Sequence, residues 1–363
     1  MDVLLLSEGS HFAYRVLKTA VAAGARVHVL ASPKARMLGW SRRTASLSWA
    51  DRPFALEDAE PLTRQINQVI AQRGIECVVA GDAPTTRFMI GVADRLEAPI
   101  FPSPDLATFE LLNDKWRFNQ LAAELGLPCP ASRLFADRDE LARAHQAGEL
   151  PGPGIVKPLS QSGGAGVHRL DEAAFDAVCA RINYAPILWQ SFIPGPQWDV
   201  SAFCRDGEVV AFSVRRRARG EFIFRDSPEL RRQTAILARR LNISGILDFD
   251  IIADEELTQV SWLECNPRVF FSIDFVAAAG VNMIALGLGQ EAPAPALAPA
   301  PAERIRKFTA MARALMRGEA LAAPDVRMLL ADLSDPAMFL RDRVFEAVAG
   351  LRGLAASKTM SPG

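Results

Sequence analysis

The stretch that most restricts the fold is 245–268. Gly245-Ile246-Leu247-Asp248-Phe249-Asp250-Ile251-Ile252 and Trp262-Leu263-Glu264-Cys265-Asn266-Pro267-Arg268 flank a polar tip at Asp254-Glu255-Glu256. Two apolar runs of strand length about a short acidic turn predict a β-hairpin. Side chains alternate faces along a strand. Asp248 and Asp250 therefore share a face, and so do Glu264 and Asn266. Folding about Glu255 and Glu256 sets Asp248 within a residue of Glu264. Two carboxylates and an amide oxygen then converge in an apolar hairpin, where they repel unless a cation neutralises them. Hard oxygen ligands, few in number, suit Mg²⁺ (or Mn²⁺) held jointly with phosphate oxygens. The plain alternative is a hairpin with a polar solvent face.

At 363 residues, half of them apolar, the chain is long enough for two or three domains with sizeable cores. Its 41 basic and 42 acidic side chains leave a net charge of −1. That balance argues against a nucleic-acid or membrane-surface binder. Five scattered cysteines without C-x-x-C spacing predict neither zinc nor disulfides, and fit a reducing cytoplasm. The apolar run Val3–Leu6 is too short for a signal peptide, and no run approaches a membrane span.

From the N-terminus, 2–6 reads as a buried strand, 11–23 as a helix closed by Gly24, and 26–31 as the next strand. This βαβ unit implies a parallel sheet with a right-handed crossover. A later strand is expected at 78–82, with a helix near 86–96. The loops at 7–11 and 81–86 then lie at strand C-terminal ends, where open α/β sheets bind ligands. No G-x-G-x-x-G follows the first strand, so no dinucleotide is inferred. Phe101-Pro102-Ser103-Pro104 is a stiff joint. Helical spacing then runs from Asp105 to Leu125, broken at Asn113 and capped by Gly126.

Gly154-Ile155-Val156-Lys157-Pro158 predicts a strand ending in a lysine, and Ser160-Gln161-Ser162-Gly163-Gly164-Ala165-Gly166-Val167 a glycine loop. Glycines let successive backbone N–H groups point inward as an anion nest. A lysine beside such a loop suits polyphosphate. Ile187 to Ile193 is an apolar strand entering a Pro-Gly turn, whose backbone can read a base edge. Asp206-Gly207 predicts the turn of a second hairpin. Of the following Arg215-Arg216-Arg217, alternation turns Arg215 or Arg217 toward a cleft. Residues 229–241 are helical in pattern. An Ala/Pro run at 290–302 reads as a semi-rigid linker. Apolar spacing predicts amphipathic helices at 304–317 and 336–354, the last carrying Phe339, Val344, Phe345, Val348 and Leu351 on a face that packs on its own domain or, as the alternative, meets a partner or membrane.

In order, these motifs resemble the ATP-grasp family over residues 1 to about 290: a βαβ domain, Asp114-Lys115 ahead of Gly126-Leu127-Pro128, Lys157-Pro158 with a glycine loop, a hinge at 190–195, and Glu264-Cys265-Asn266-Pro267-Arg268. The tail from Asn266 through Ser272 to Ala279-Gly280-Val281 is similar to carbamoyl-phosphate-synthase-like members. The resemblance implies an α/β and α+β chain. A Rossmann-like domain spans 1–104 and an ATP-grasp domain 105–290, with its lid about 127–193 and its core about 194–290. A linker at 291–302 and a helical extension at 303–363 follow.

The same resemblance implies ATP contacts from Lys115, Lys157, Ser162, Gly163, Gly164, Gly166, Gln190, Ser191, Phe192, Ile193, Gln197 and Asp199. It makes Asp248, Glu264 and Asn266 the metal ligands. Arg268 and Lys157 become the catalytic cations, and Arg215, Arg217 and Ser272 substrate contacts. Gln190 and Gln197 stand where the family carries acids, so the hinge departs from its pattern. The implied activity is ATP-dependent activation of a carboxylate as an acyl phosphate, captured by an amine, both small molecules. A homodimer is compatible with it. A bicarbonate-using phosphotransfer enzyme and a non-catalytic ATP-binding module are the alternatives.

Overall fold

The computed structural model describes residues 1–159, 164–171, 175–290 and 304–344, together with the backbone of a two-residue strand at Ala296–Leu297. Ser162, Gly163, most of the expected linker, and Phe345, Val348 and Leu351 lie outside the described residues. The chain forms two compact units that do not follow chain order. One holds Met1–Phe101, Phe271–Gln290 and the chain from Ile305 onward; the other holds Pro102–Phe270 and Glu291–Arg304.

The first unit opens with β1 (Asp2–Ser7), α1 (Ser10–Ala22), β2 (Arg26–Ala31), β3 (Thr44–Trp49), α2 (Ala59–Arg73), β4 (Cys77–Ala80) and α3 (Ala83–Gly91). The strands form a parallel sheet in the order β3-β2-β1-β4. β1 and β4 are buried almost throughout, as continuous apolar runs in a parallel sheet must be. Strand order reverses between β1 and β4, the switch point at which open α/β sheets take ligands. There Asp82 ties the two expected loops together: its Oδ2 accepts from the N–H groups of Glu8 and Gly9 at 2.8 and 3.0 Å. Its Oδ1 caps α3 through Thr85. Gly81 is required by close approach, because a Cβ there would meet Ala13 Cβ at 2.8 Å.

The second unit begins with α4 (Leu106–Asn113) and α5 (Lys115–Glu124), the two helices that Asn113 was expected to separate. Asp114 caps α5 by accepting from the N–H groups of Trp116 and Arg117. A small antiparallel sheet, β5-β8-β6-β7, comprises β5 (Ser132–Phe135), β6 (Gly154–Lys157), β7 (His168–Leu170) and β8 (Ile187–Ser191). Two helices, α6 (Arg138–Gln146) and α7 (Phe175–Cys179), belong to the same layer, and Phe135, Leu141, Val156, Phe175 and Trp189 form its core.

A larger antiparallel sheet contains β9 (Gln197–Arg205), β10 (Glu208–Ala218), β11 (Glu221–Arg225), β12 (Gly245–Ala253) and β13 (Val260–Asn266), in the order β13-β12-β9-β10-β11, with α8 (Pro228–Arg240). Asp206 and Gly207 turn β9 into β10 with positive φ at both residues, as a tight hairpin requires. Trp198, Val200, Leu247, Phe249, Ile251 and Trp262 share a core with Phe118, Leu121, Leu230 and Leu237. One face of this sheet is therefore covered by helices. Alternation turns the polar residues of β9, β10, β12 and β13 to the other face. Where a linker was expected, Ala296–Leu297 pairs in parallel with Ala211–Phe212.

The chain returns to the first unit with α9 (Ile273–Ala278), α10 (Met283–Gly287), α11 (Phe308–Met316), α12 (Ala323–Leu333) and a helix at 336–344. These are fixed to the sheet domain by charge. Asp274, fully buried, accepts Arg15 and Lys18 at 2.7 Å each, and Lys18 also reaches Asp332 at 3.0 Å. Phe339 packs edge-on against Phe308, whereas Val344 is exposed. No described helix is long and apolar enough to cross a membrane.

Candidate active site

The hairpin of β12 and β13 forms as expected, but with a different register. The tip is set by Asp254, whose Oδ1 accepts from the N–H groups of Thr258 and Gln259 at 2.7 and 3.0 Å. A bulge then interrupts the ladder at Leu263, so Ile251 pairs Trp262 while Asp250 pairs Glu264. Asp248 lies opposite Asn266, not beside Glu264. A later turn centre and one extra residue, neither marked by alternation, account for the shift. The bulge also leaves Leu263 and Glu264 both lining the same cavity.

That cavity, of about 570 Å³, lies within the second unit. Its charged wall is Lys115, Lys157, Arg217, Asp250 and Glu264; Ile155, Val167, Ile252 and Leu263 are its apolar lining. Gln190, Ser191, Phe192, Ile193, Gln197 and Gly164 complete it. Lys115 is the first residue of α5, oriented by the Asp114 cap, and Lys157 ends β6 where Pro158 stops the strand. Both are buried, and both reach Glu264 Oε2, at 3.4 and 3.9 Å. Lys115 also donates to the carbonyl of Leu159 at 3.3 Å. Burial lowers Lys157 from the ordinary lysine range, with Glu264 opposing the fall and Lys115 adding to it. Burial alone would raise Glu264, but the two lysines and a hydrogen bond with Asp250 hold it below the usual carboxylate value. Asp250 is pushed well up by burial, then by Glu264 and Asp199.

Beside the cavity lies a second charge cluster. Arg215 is fully buried, over the ring of Phe270 at 4.4 Å. It donates to Ser201 Oγ at 2.6 Å and to Asp248 Oδ1 at 3.0 Å, and lies 3.6 Å from Asp199. Ser201 donates in turn to Asp248 Oδ1 at 2.5 Å. Arg215 is thus enclosed in the sheet as a bridge between two acids and does not line the cavity, whereas Arg217, two residues on, does. Asp199 and Asp248 lie in the bridge and outside the cavity lining. Arg268 turns back to donate to Asn266 Oδ1 at 2.8 Å. Gly166, with φ at +71°, accepts from the Tyr184 hydroxyl at 2.7 Å. Ser272 is a buried residue at the start of α9, in the first unit.

A family model described as "ATP-grasp in the biosynthetic pathway with Ter operon" matches residues 183–313. Among solved structures, N5-carboxyaminoimidazole ribonucleotide synthetase in its ADP complex superposes with a TM-score of 0.62 at 16% identity, over 79% of this chain and 75% of that one. The L-amino acid ligase from Bacillus licheniformis gives 0.59 at 17% identity, over 79% and 73%.

Residues 183–313 thus match an ATP-grasp family model, and the fold is that of these solved structures.

In sequence, this chain is 28% identical over 260 residues to the carbamoyl phosphate synthase large chain of Xanthomonas campestris pv. campestris, 62% of this chain but only 22% of that protein. It is 26% identical to that of Haemophilus ducreyi over 199 residues, again spanning only 18% of that protein. Within the second unit, the donors around Glu264 are hard oxygens, of the chemistry that Mg²⁺ prefers: the Glu264 and Asp250 carboxylates with Asn266 Oδ1 on the same strand face. Among the described residues no group of three or more His, Cys, Asp or Glu side chains could hold a metal ion. A cation here would need oxygens from a bound phosphate as well. Asp250, Arg217 and the apolar lining were not singled out for the nucleotide by sequence. The signal for Asp250 was present, since it alternates with Asp248.

Proposed function

We propose that the chain binds ATP with a divalent cation in this cavity and activates a carboxylate as an acyl phosphate, which an amine captures to form a C–N bond with release of ADP and phosphate. The observation that carries the reading is the convergence of two buried lysines from separate elements on one glutamate, inside a cavity edged by the hinge residues 190–193. Lys115 and Lys157 would neutralise polyphosphate and give up part of their hold on Glu264 as they do so. The backbone of 190–193 would meet the base, with Ile155, Ile252 and Leu263 against its faces. Gln197 takes the ribose side in place of an acid. Glu264 and Asn266, with a carboxylate from β12, would hold the cation, which when bound offsets charge on the β- and γ-phosphates. Arg268, anchored on Asn266, would stabilise the transferring phosphoryl group. Asp248 and Asp199 are held by Arg215 beneath this corner.

Incubating the chain with Mg-ATP and pairs of amino acids, and measuring phosphate release, tests the reading. Release that requires both an acid and an amine is expected. A second reading, phosphorylation of bicarbonate, is favoured by the likeness to carbamoyl phosphate synthase large chains. Release that requires bicarbonate and no other acid would select it.

A further inference from the structure

We propose that α12 is an interface helix, whose outward apolar face packs against the same face of a second copy of this chain about a two-fold axis. The acids on and just after α12 are turned into the first unit. Asp325 accepts Arg306 at 3.0 Å, Asp332 meets Lys18 at 3.0 Å, and Asp335 is sealed against Tyr14 and Ser41. Val326, Leu330 and Leu333 point the other way, with 39, 62 and 52% of their surface exposed. Leu340 and Val344 repeat the bias on the helix at 336–344, at 64 and 57%. A surface helix ordinarily does the reverse, with its charges in water and its leucines inside. On α12 the three exposed residues stand at i, i+4 and i+7, opposite the buried Pro324, Asp325 and Met328, and so form one stripe. Single bare apolar side chains need no explanation, whereas a stripe of them marks a contact surface.

Symmetry and charge select the occupant. In an antiparallel pair of α12 helices crossing at the middle of the stripe, Val326 lies against Leu333 of the partner subunit, and the two Leu330 side chains meet across the axis. The stripe is therefore its own complement, as a two-fold contact requires. Among the exposed residues of α12 the charged one is Arg327, whose guanidinium is turned away to donate to the Ala278 carbonyl at 3.1 and 2.6 Å. The stripe thus meets its own copy without like-charge repulsion. It also lacks the flanking row of lysines and arginines that holds an amphipathic helix on an anionic membrane. The inference is independent of the nucleotide reading.

The test is sedimentation velocity of the full chain across the micromolar range, with the variant Leu330→Glu beside wild type. Wild type is expected to sediment as a dimer. Leu330→Glu is expected to weaken that dimer at least about thirtyfold, with an unchanged far-ultraviolet circular dichroism spectrum, because Leu330 is already exposed in the single chain. Should the glutamate variant fail to fold, cysteine cross-linking keeps the test open. Under a mild oxidant, Leu330→Cys should give a disulfide-linked dimer faster than wild type does. Val326→Cys should do so only when mixed with Leu333→Cys. A wild type that stays monomeric throughout the range would overturn the proposal. So would a dimer that Leu330→Glu leaves intact, or a Leu330→Cys chain that cross-links no faster than wild type. A monomeric wild type that floats with vesicles of phosphatidylserine and phosphatidylcholine would overturn it too, and would assign the face to lipid.

Discussion

Replacing Arg215 by Met removes the buried cation that bridges Asp199 and Asp248 while keeping most of the buried volume. Its guanidinium lies 3.0 Å from Asp248 and 3.6 Å from Asp199. At an effective dielectric of about 20, such pairs attract by roughly 5.5 and 4.6 kcal/mol before dehydration is charged against them. Most of that is offset by taking three charges out of water, but deleting one partner leaves the others uncompensated, at a typical cost of about 3–5 kcal/mol. The expected loss at about pH 8 is therefore ~4 kcal/mol, a large part of the stability of an ordinary domain.

The pH dependence has a definite sign. Burial pushes Asp199 up to about 6, with Arg215 opposing the rise and Asp248 adding to it. A carboxyl raised in the fold keeps protons that the unfolded chain releases, so stability falls as pH rises from the ordinary carboxylate value to the folded one. Without Arg215 the folded value rises further, and the fall extends to higher pH. The difference between Arg215→Met and wild type should thus shrink as the pH is lowered toward about 5. Urea unfolding followed by tryptophan fluorescence at several pH values measures this, Trp189, Trp198 and Trp262 all being buried in the same unit. A loss below about 1 kcal/mol at pH 8, or one that grows on acidification, would refute the buried bridge.

Lys157→Ala should weaken ATP binding about tenfold or more, whereas Arg231→Ala, on α8 with its charge paired to Asp226, should not; equal calorimetric affinities would remove Lys157 from the site. Glu264→Gln should cut turnover by roughly two to four orders of magnitude. It should also lower magnesium-free stability by ~1–2 kcal/mol, because Lys115 and Lys157 lose their shared counter-ion; a marked stability loss with near-normal turnover would count against a role in chemistry. His11 is held down to about 4 by burial, with Arg15 adding to the effect. A base depressed in the fold contributes full stability above its ordinary value, lost as pH falls toward the folded one. His11→Gln should therefore flatten the loss between about pH 6.5 and 4, worth at most ~3 kcal/mol, and unchanged acid unfolding would contradict the burial.

Local pattern in the sequence specifies most of the elements and several of the side chains that line the cavity. The βαβ start, the two helices parted at Asn113, the Asp206-Gly207 turn and the 245–268 hairpin all rest on local signals: apolar period, caps, glycines and prolines. Lys115, Lys157, Glu264 and the 190–193 hinge are legible for the same reason, each occupying an element end that its neighbours define. Register is different. It depends on where a six-residue tip closes and on one bulged residue, and alternation alone is unchanged by moving both strands together by two. Only the tertiary structure could pair Glu264 with Asp250 and set Asp248 opposite Asn266. Burial of a charge is likewise invisible to pattern: Arg215 and Arg217 read alike in Arg215-Arg216-Arg217, yet one is sealed between two acids and the other faces a cavity. What separates them is the strand lying beside each, which is long-range information. The return of 271–290 and the later helices to the first unit is of the same kind, fixed by Asp274 meeting Arg15 and Lys18 across more than half the chain.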